Sequence, residues 1–183
     1  MACEELWKRL VPDRPAVELV AEQVDNLAEE IIKAGERKRW NDVFRWSREA
    51  LDVICRCTIE EIPTGRRLRR DFYEKLRITT FYDFDSFLND LMQNLIGHEE
   101  FEKVIDIAGT LAEGLGDDTF LDFKAESLFG LGRKDEGERL YQEIISRNPD
   151  NPWLSIHAGD CCVDYGEKDF LKARDYYLKA LSI

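Results

Sequence analysis

Apolar residues recur along this chain at helical spacing, with short polar or glycine-containing breaks between the runs. Val17, Val20, Val24, Leu27 and Ile31 form the first stripe, which follows a start signal at Asp13-Arg14-Pro15 and is stopped at Gly35. Trp40, Val43, Phe44, Ser47, Ala50, Leu51 and Ile54 form the second, and this helix is expected to run to about Glu61, because the first breaker is Pro63. Leu68, Phe72 and Leu76 predict a basic helix after Thr64-Gly65, with the arginines on its outward face. Ile78 to Tyr82 has strand propensity, but with no second strand candidate to pair with it reads as a loop or helix end.

Six further helices follow. Phe84 to Leu95 starts at a cap supplied by Asp83 or Asp85, Phe101 to Leu111 ends near Gly116, and Leu121 to Phe129 is turned back at Gly132. Gly137 to Ile145 ends at Asn148-Pro149, and Trp153 to Val163 opens with Pro152 in its first turn. Phe170 to Leu181 makes the last. The fold class expected is all-α, with about nine helices in stacked antiparallel pairs and no convincing strand. The organisation expected is a single helical domain over 1–183. It comprises an N-terminal helix pair (1–62), an irregular connector with a basic helix (63–82) and three helix pairs (83–183).

The returning helices repeat. Val104, Gly137 and Ala173 occupy matching places 33 and 36 positions apart, inside Phe101-x-x-Val104-x-x-x-Ala108, Gly137-x-x-x-Tyr141-x-x-Ile144 and Phe170-x-x-Ala173-x-x-x-Tyr177-x-x-Ala180. Ala125, Gly137, Gly159 and Ala173 fall where two helices must approach closely, and Gly132, Pro149 and Gly166 mark turns. In this order of small, turn, small, aromatic, apolar and proline residues, the chain resembles the tetratricopeptide repeat family. The match is best over 118–183 and weaker over 84–116 and 15–55. The resemblance implies an α-α superhelix whose concave surface, lined by the first helix of each pair, holds an extended peptide or a partner's helix. A specialised version of that family grips carboxylate-ended chaperone tails with lysine, asparagine and arginine. Here the first helices offer Asp118, Asp122, Lys124, Glu126, Ser155, His157, Asp160 and Asp164, so binding of an acidic tail is not expected.

Charge sharpens the expectation. Residues 1–80 hold 16 Lys/Arg and 16 Asp/Glu, whereas 81–183 hold 10 and 22, so the whole net charge of −12 lies in the second part. Such a surface repels phosphate backbones and anionic membranes and favours a basic partner. No apolar run approaches the length of a bilayer span and the N-terminal residues lack a signal-peptide core, so a cytoplasmic location is expected. The five cysteines, Cys3, Cys55, Cys57, Cys161 and Cys162, are odd in number and fit a reducing compartment.

Candidate chemistry is sparse. His157 and Cys161 stand four apart on one helix face, but two ligands are fewer than zinc requires, and a buried thiol is the simpler reading. With two histidines, no phosphate loop and no nucleophile motif, neither a cofactor nor catalysis is expected. The function expected is a non-catalytic interaction scaffold binding a basic or amphipathic segment through Asp122, Glu126, Phe129, Trp153, His157 and Asp160. Two alternatives stand beside it: a nucleic-acid-binding or regulatory module using Arg66, Arg67, Arg69 and Arg70, and an enzyme working from a helical cleft. Self-association through the C-terminal helix end, near Tyr177 and Leu181, is a further expectation.

Overall fold

The computed structural model describes residues 16–165 and 169–183, so the start signal at Asp13-Arg14-Pro15, Cys3 and the turn at Gly166 lie outside the described residues. The fold is all-α with one short hairpin. Among the described residues there are nine helices, α1 Val17–Glu36, α2 Trp40–Thr58, α3 Arg70–Thr79, α4 Phe84–Gly97, α5 Phe101–Leu115, α6 Thr119–Gly130, α7 Lys134–Arg147, α8 Pro152–Asp164 and α9 Phe170–Leu181. The chain divides into two compact units, 1–98 and 99–183, at the connection between α4 and α5.

In unit 1, α1 packs along α2, α4 packs on α2, and α3 on α1. The predicted stripes supply the core: Val20, Val24 and Leu27 from α1, Val43, Ala50, Leu51 and Ile54 from α2, and Leu88, Leu91, Met92 and Leu95 from α4 are buried. Asp83 caps α4 by accepting from the amides of Asp85 and Ser86, each at 3.1 Å. The expected continuation of α2 to Glu61 is corrected. The helix ends at Thr58, and Ile59–Ile62 forms strand β1, antiparallel to β2 at Gly65–Leu68. The register sets Glu60 opposite Arg67 and Glu61 opposite Arg66, so each cross-strand pair joins opposite charges. The Arg69 amide, donating to the Thr58 carbonyl at 2.6 Å, extends the pairing past Leu68. The basic helix therefore starts only at Arg70, with Tyr73 and Leu76 buried. Ile78 to Tyr82 is a helix end and turn, as expected from the lack of a strand partner.

Unit 2 is a run of helical hairpins, in which α5 packs on α6, α6 on α7 and α8 on α9, with α8 also touching α6 and α7. Three residues join α6 to α7, and Gly132 there takes φ of +77°, a left-handed conformation that costs glycine little. The core gathers Ala125, Phe129, Tyr141, Ile144, Ile145, Leu154, Ala158, Cys161, Cys162 and Ala173. Tyr141 is the largest of the fully buried side chains.

The small residues do what the repeat predicts. A Cβ on Gly137 would lie 2.6 Å from the Phe129 ring and 2.9 Å from the Ala125 carbonyl oxygen, and one on Gly159 would lie 2.5 Å from the Tyr177 ring. Gly130, which the repeat does not single out, is equally confined, its Cβ position lying 2.5 Å from the Phe101 ring.

The Ala125 contact is with backbone, which cannot rotate away. Gly137→Ala is therefore expected to destabilise unit 2 by about 1–3 kcal/mol through overpacking. At Gly35, near the end of α1, a Cβ would meet nothing within 4 Å. Gly35→Ala should be neutral or stabilising by up to about 1 kcal/mol. Urea unfolding of both variants checks the contrast, and equal losses at the two positions would remove the close-approach account.

Candidate functional site

The first helices of the two best-matched repeats, α6 and α8, are unlike the returning ones. Each buries residues around much of its girth: Phe120, Phe123, Ala125, Ser127, Leu128 and Phe129 on α6, and Leu154, Ser155, Ala158, Gly159, Cys161 and Cys162 on α8. What remains at the surface is polar. α8 begins with Asn151, whose side chain accepts from the Trp153 amide at 3.1 Å, and with Pro152 in its first turn as expected.

On this surface Asp122 of α6 and His157 of α8 meet, His157 Nδ1–H donating to Asp122 Oδ2 at 2.5 Å. The other oxygen, Asp122 Oδ1, is buried without a hydrogen-bond partner. The bond to Asp122 raises the His157 pKa above the ordinary histidine value, opposed by partial burial and helped by the charges of Glu126 and Asp160. One turn along, Tyr177 of α9 donates its hydroxyl to Asp160 Oδ1 at 2.7 Å, and this bond, with some burial, pushes its pKa up to about 12. Tyr165 is likewise raised to about 12, chiefly by burial and then by Glu126. The Trp153 ring, 63% exposed, stands 6.3 Å from the His157 ring. Asp122, Glu126, His157, Asp160 and Trp153 thus form one continuous patch.

Among the described residues, Asp122 is bonded by a histidine and Asp160 by a tyrosine hydroxyl, neither by a lysine or arginine. Elsewhere in unit 2, Lys172 pairs with Glu138 at 2.7 Å, Arg133 with Glu136 at 2.7 Å, and Arg147 with Asp118 at 3.1 Å.

Phe129, expected on the binding surface, belongs instead to the interior, where its ring packs over Gly137 and tilts against Tyr141. Helical spacing alone could not decide this, since α6 is buried on more than one side. Tyr177 is turned inward to Asp160 and Gly159, whereas Leu181 stands exposed. Missing from the sequence-based set are Tyr141, whose hydroxyl lies 3.5 Å from Cys161 Sγ, and Tyr165. Tyr141 reads in the repeat as a packing residue, and Tyr165 lies just past the end of α8.

Cys161 is buried and its thiol is pushed far above the ordinary value, first by burial. Tyr141 is raised in the same way, with Asp122 and Cys161 adding to the effect of burial. Among the described residues no group of three or more His, Cys, Asp or Glu is placed to hold a metal ion.

The arginine cluster in unit 1 is divided by the hairpin. Arg66 pairs with Glu61 at 2.7 Å and Arg67 with Glu60, while Arg69 donates to the Cys57 carbonyl at 2.9 Å and lies over the Phe72 ring. Arg70 lies 4.0 Å from Glu74. A cleft of about 880 Å³ beside the hairpin is lined by Arg67, Arg69, Arg70 and Lys75, with Glu18, Glu60 and Asp71 interspersed. No helix among the described residues is long and apolar enough to cross a membrane. No protein-family model, no curated protein and no solved structure matches the chain.

The His157–Asp122 pair makes unit 2 pH-dependent. Its folded pKa lies above the ~6.5 of an unfolded histidine, so the pair stabilises fully below that value and its contribution fades as pH rises through the folded pKa. The side chain is 42% exposed, so solvent screening keeps the effect small. Proton NMR titration should place His157 above the ordinary histidine value, and Asp122→Asn should lower it. An unchanged His157 titration in Asp122→Asn would show that the pair does not form in solution.

Proposed function

We propose that this protein is a non-catalytic interaction module of tetratricopeptide-like architecture, whose α6–α8 surface takes a basic or amphipathic segment of a partner protein. One observation supports the reading above the others. Asp122, Glu126 and Asp160 are gathered around His157, which stands beside the exposed Trp153 ring, and Asp122 and Asp160 are bonded by a histidine and a tyrosine hydroxyl. A lysine or arginine entering here meets carboxylates already positioned by His157 and Tyr177, and its aliphatic stem or cation can lie on the indole face. The net charge of unit 2, with 10 Lys/Arg against 19 Asp/Glu, would speed the encounter with a cationic segment.

The chemistry of the buried groups agrees with a binding role. A cysteine nucleophile needs a lowered pKa, and Cys161 is displaced the other way by burial. Among the described residues Cys55, Cys57, Cys161 and Cys162 are in no disulfide, which fits a reducing compartment, on which a cytoplasmic location rests. The alternative at Arg66 and Arg67 is disfavoured by their pairing with Glu61 and Glu60, which any phosphate would have to displace.

The test is fluorescence anisotropy with a labelled amphipathic helical peptide of about 15 residues carrying lysines on one face. Binding should be in the micromolar range and weaken as salt rises from ~50 to ~300 mM. Glu126→Lys with Asp160→Lys should reduce affinity at least ~10-fold, since like charges then face the peptide. Equal affinity for wild type and the double variant would exclude this surface.

A further inference from the structure

Helix α9 presents two opposite faces. Ala173, Tyr176, Tyr177 and Ala180 turn inward, with Ala173 buried and Tyr177 held by Asp160. The outward face carries Leu171 and Leu178, 69% and 56% exposed, with Arg174 and Asp175 between them and Leu181 one turn further. Spacing of i, i+3, i+4 and i+7 puts the first four on one stripe.

That stripe is self-complementary. A two-fold axis passing between Arg174 and Asp175, perpendicular to the helix, sets Leu171 against Leu178 of a second copy and Leu178 against its Leu171. The same operation sets Arg174 against the second copy's Asp175, and Asp175 against its Arg174. Self-complementarity under such an axis defines an isologous contact. In the single chain Arg174 bends onto its own neighbour Asp175, with an N–O distance of 2.9 Å and both side chains about two-thirds exposed. Paired about the axis, the four charges alternate in a closed ring, and the stripe remains neutral although unit 2 as a whole is acidic.

We infer that the outward face of α9 is a homodimer contact, in which two copies of this chain pair their α9 helices antiparallel across Leu171, Arg174, Asp175 and Leu178. The contact is one helix wide, below the ~1,600 Å² of a standard interface, so the dimer is weak, with a dissociation constant of about 10–100 µM. It is independent of the α6–α8 patch, because Tyr177 and Asp160 lie on the other side of α9, and either reading can fail alone.

Sedimentation equilibrium of the full chain from ~5 to ~500 µM reads the outcome. The weight-average mass should rise from 21.4 kDa toward twice that value and no further. Leu178→Asp should stay monomeric, and far-UV circular dichroism should be unchanged because the side chain is exposed. Arg174→Asp and Asp175→Arg should each weaken self-association at least ~10-fold, since each places like charges across the axis. An equimolar mixture of those two variants should dimerise to within ~3-fold of wild type, because every like-charged pair becomes an opposite one. A wild type that is monomeric throughout, an assembly that grows past the dimer, or a variant mixture that fails to associate would each overturn the inference.

Discussion

Where Gly137 of α7 crosses Ala125 of α6, the space a methyl group would need is already taken by the Phe129 ring and the Ala125 carbonyl. This approach fixes the distance between the two helices, and the rest of unit 2 follows from it. With α7 drawn in, Tyr141 is enclosed completely and its hydroxyl reaches Cys161 of α8. α8 is thereby held beside α6, close enough for His157 to meet Asp122. Gly159 repeats the device one helix later, letting the Tyr177 ring settle on α8 and its hydroxyl find Asp160. The polar patch is thus a product of backbone proximity rather than of the polar residues' own attraction.

The first helices bear the cost of this arrangement in polarity. Ser127 and Ser155 are fully buried with hydroxyls that meet no partner, and Asp122 keeps one oxygen in the same condition. The returning helices α5 and α7 face their neighbours with broad apolar residues and show ordinary amphipathic patterns.

This difference explains what the sequence could and could not reveal. Most of the helices, the cap at Asp83, the first-turn Pro152 and the close approaches at Gly137 and Gly159 are local signals, found where spacing placed them. The β1–β2 hairpin was hidden because neither Ile59–Ile62 nor Gly65–Leu68 alternates apolar and polar residues. Its sign was instead the mirrored pair of glutamates and pair of arginines about Pro63-Thr64-Gly65, a pattern that becomes visible only when the two arms are laid together. Phe129 misled because the periodicity of α6 gives no single outward face. The meeting of Asp122 with His157, 35 positions apart, follows from the repeat period but could not be separated beforehand from two solvated side chains.

Trp153 gives unit 2 an optical handle. It is the sole tryptophan between residues 99 and 183, it faces solvent, and it stands beside a histidine whose proton is held by a carboxylate. A protonated imidazole quenches indole emission where a neutral one does so far less, so the brightness of this one ring encodes the charge of its neighbour. Phenylalanine at the three other tryptophans, Trp7, Trp40 and Trp46, would leave a chain whose tryptophan emission above neutral pH reports on the α6–α8 surface alone.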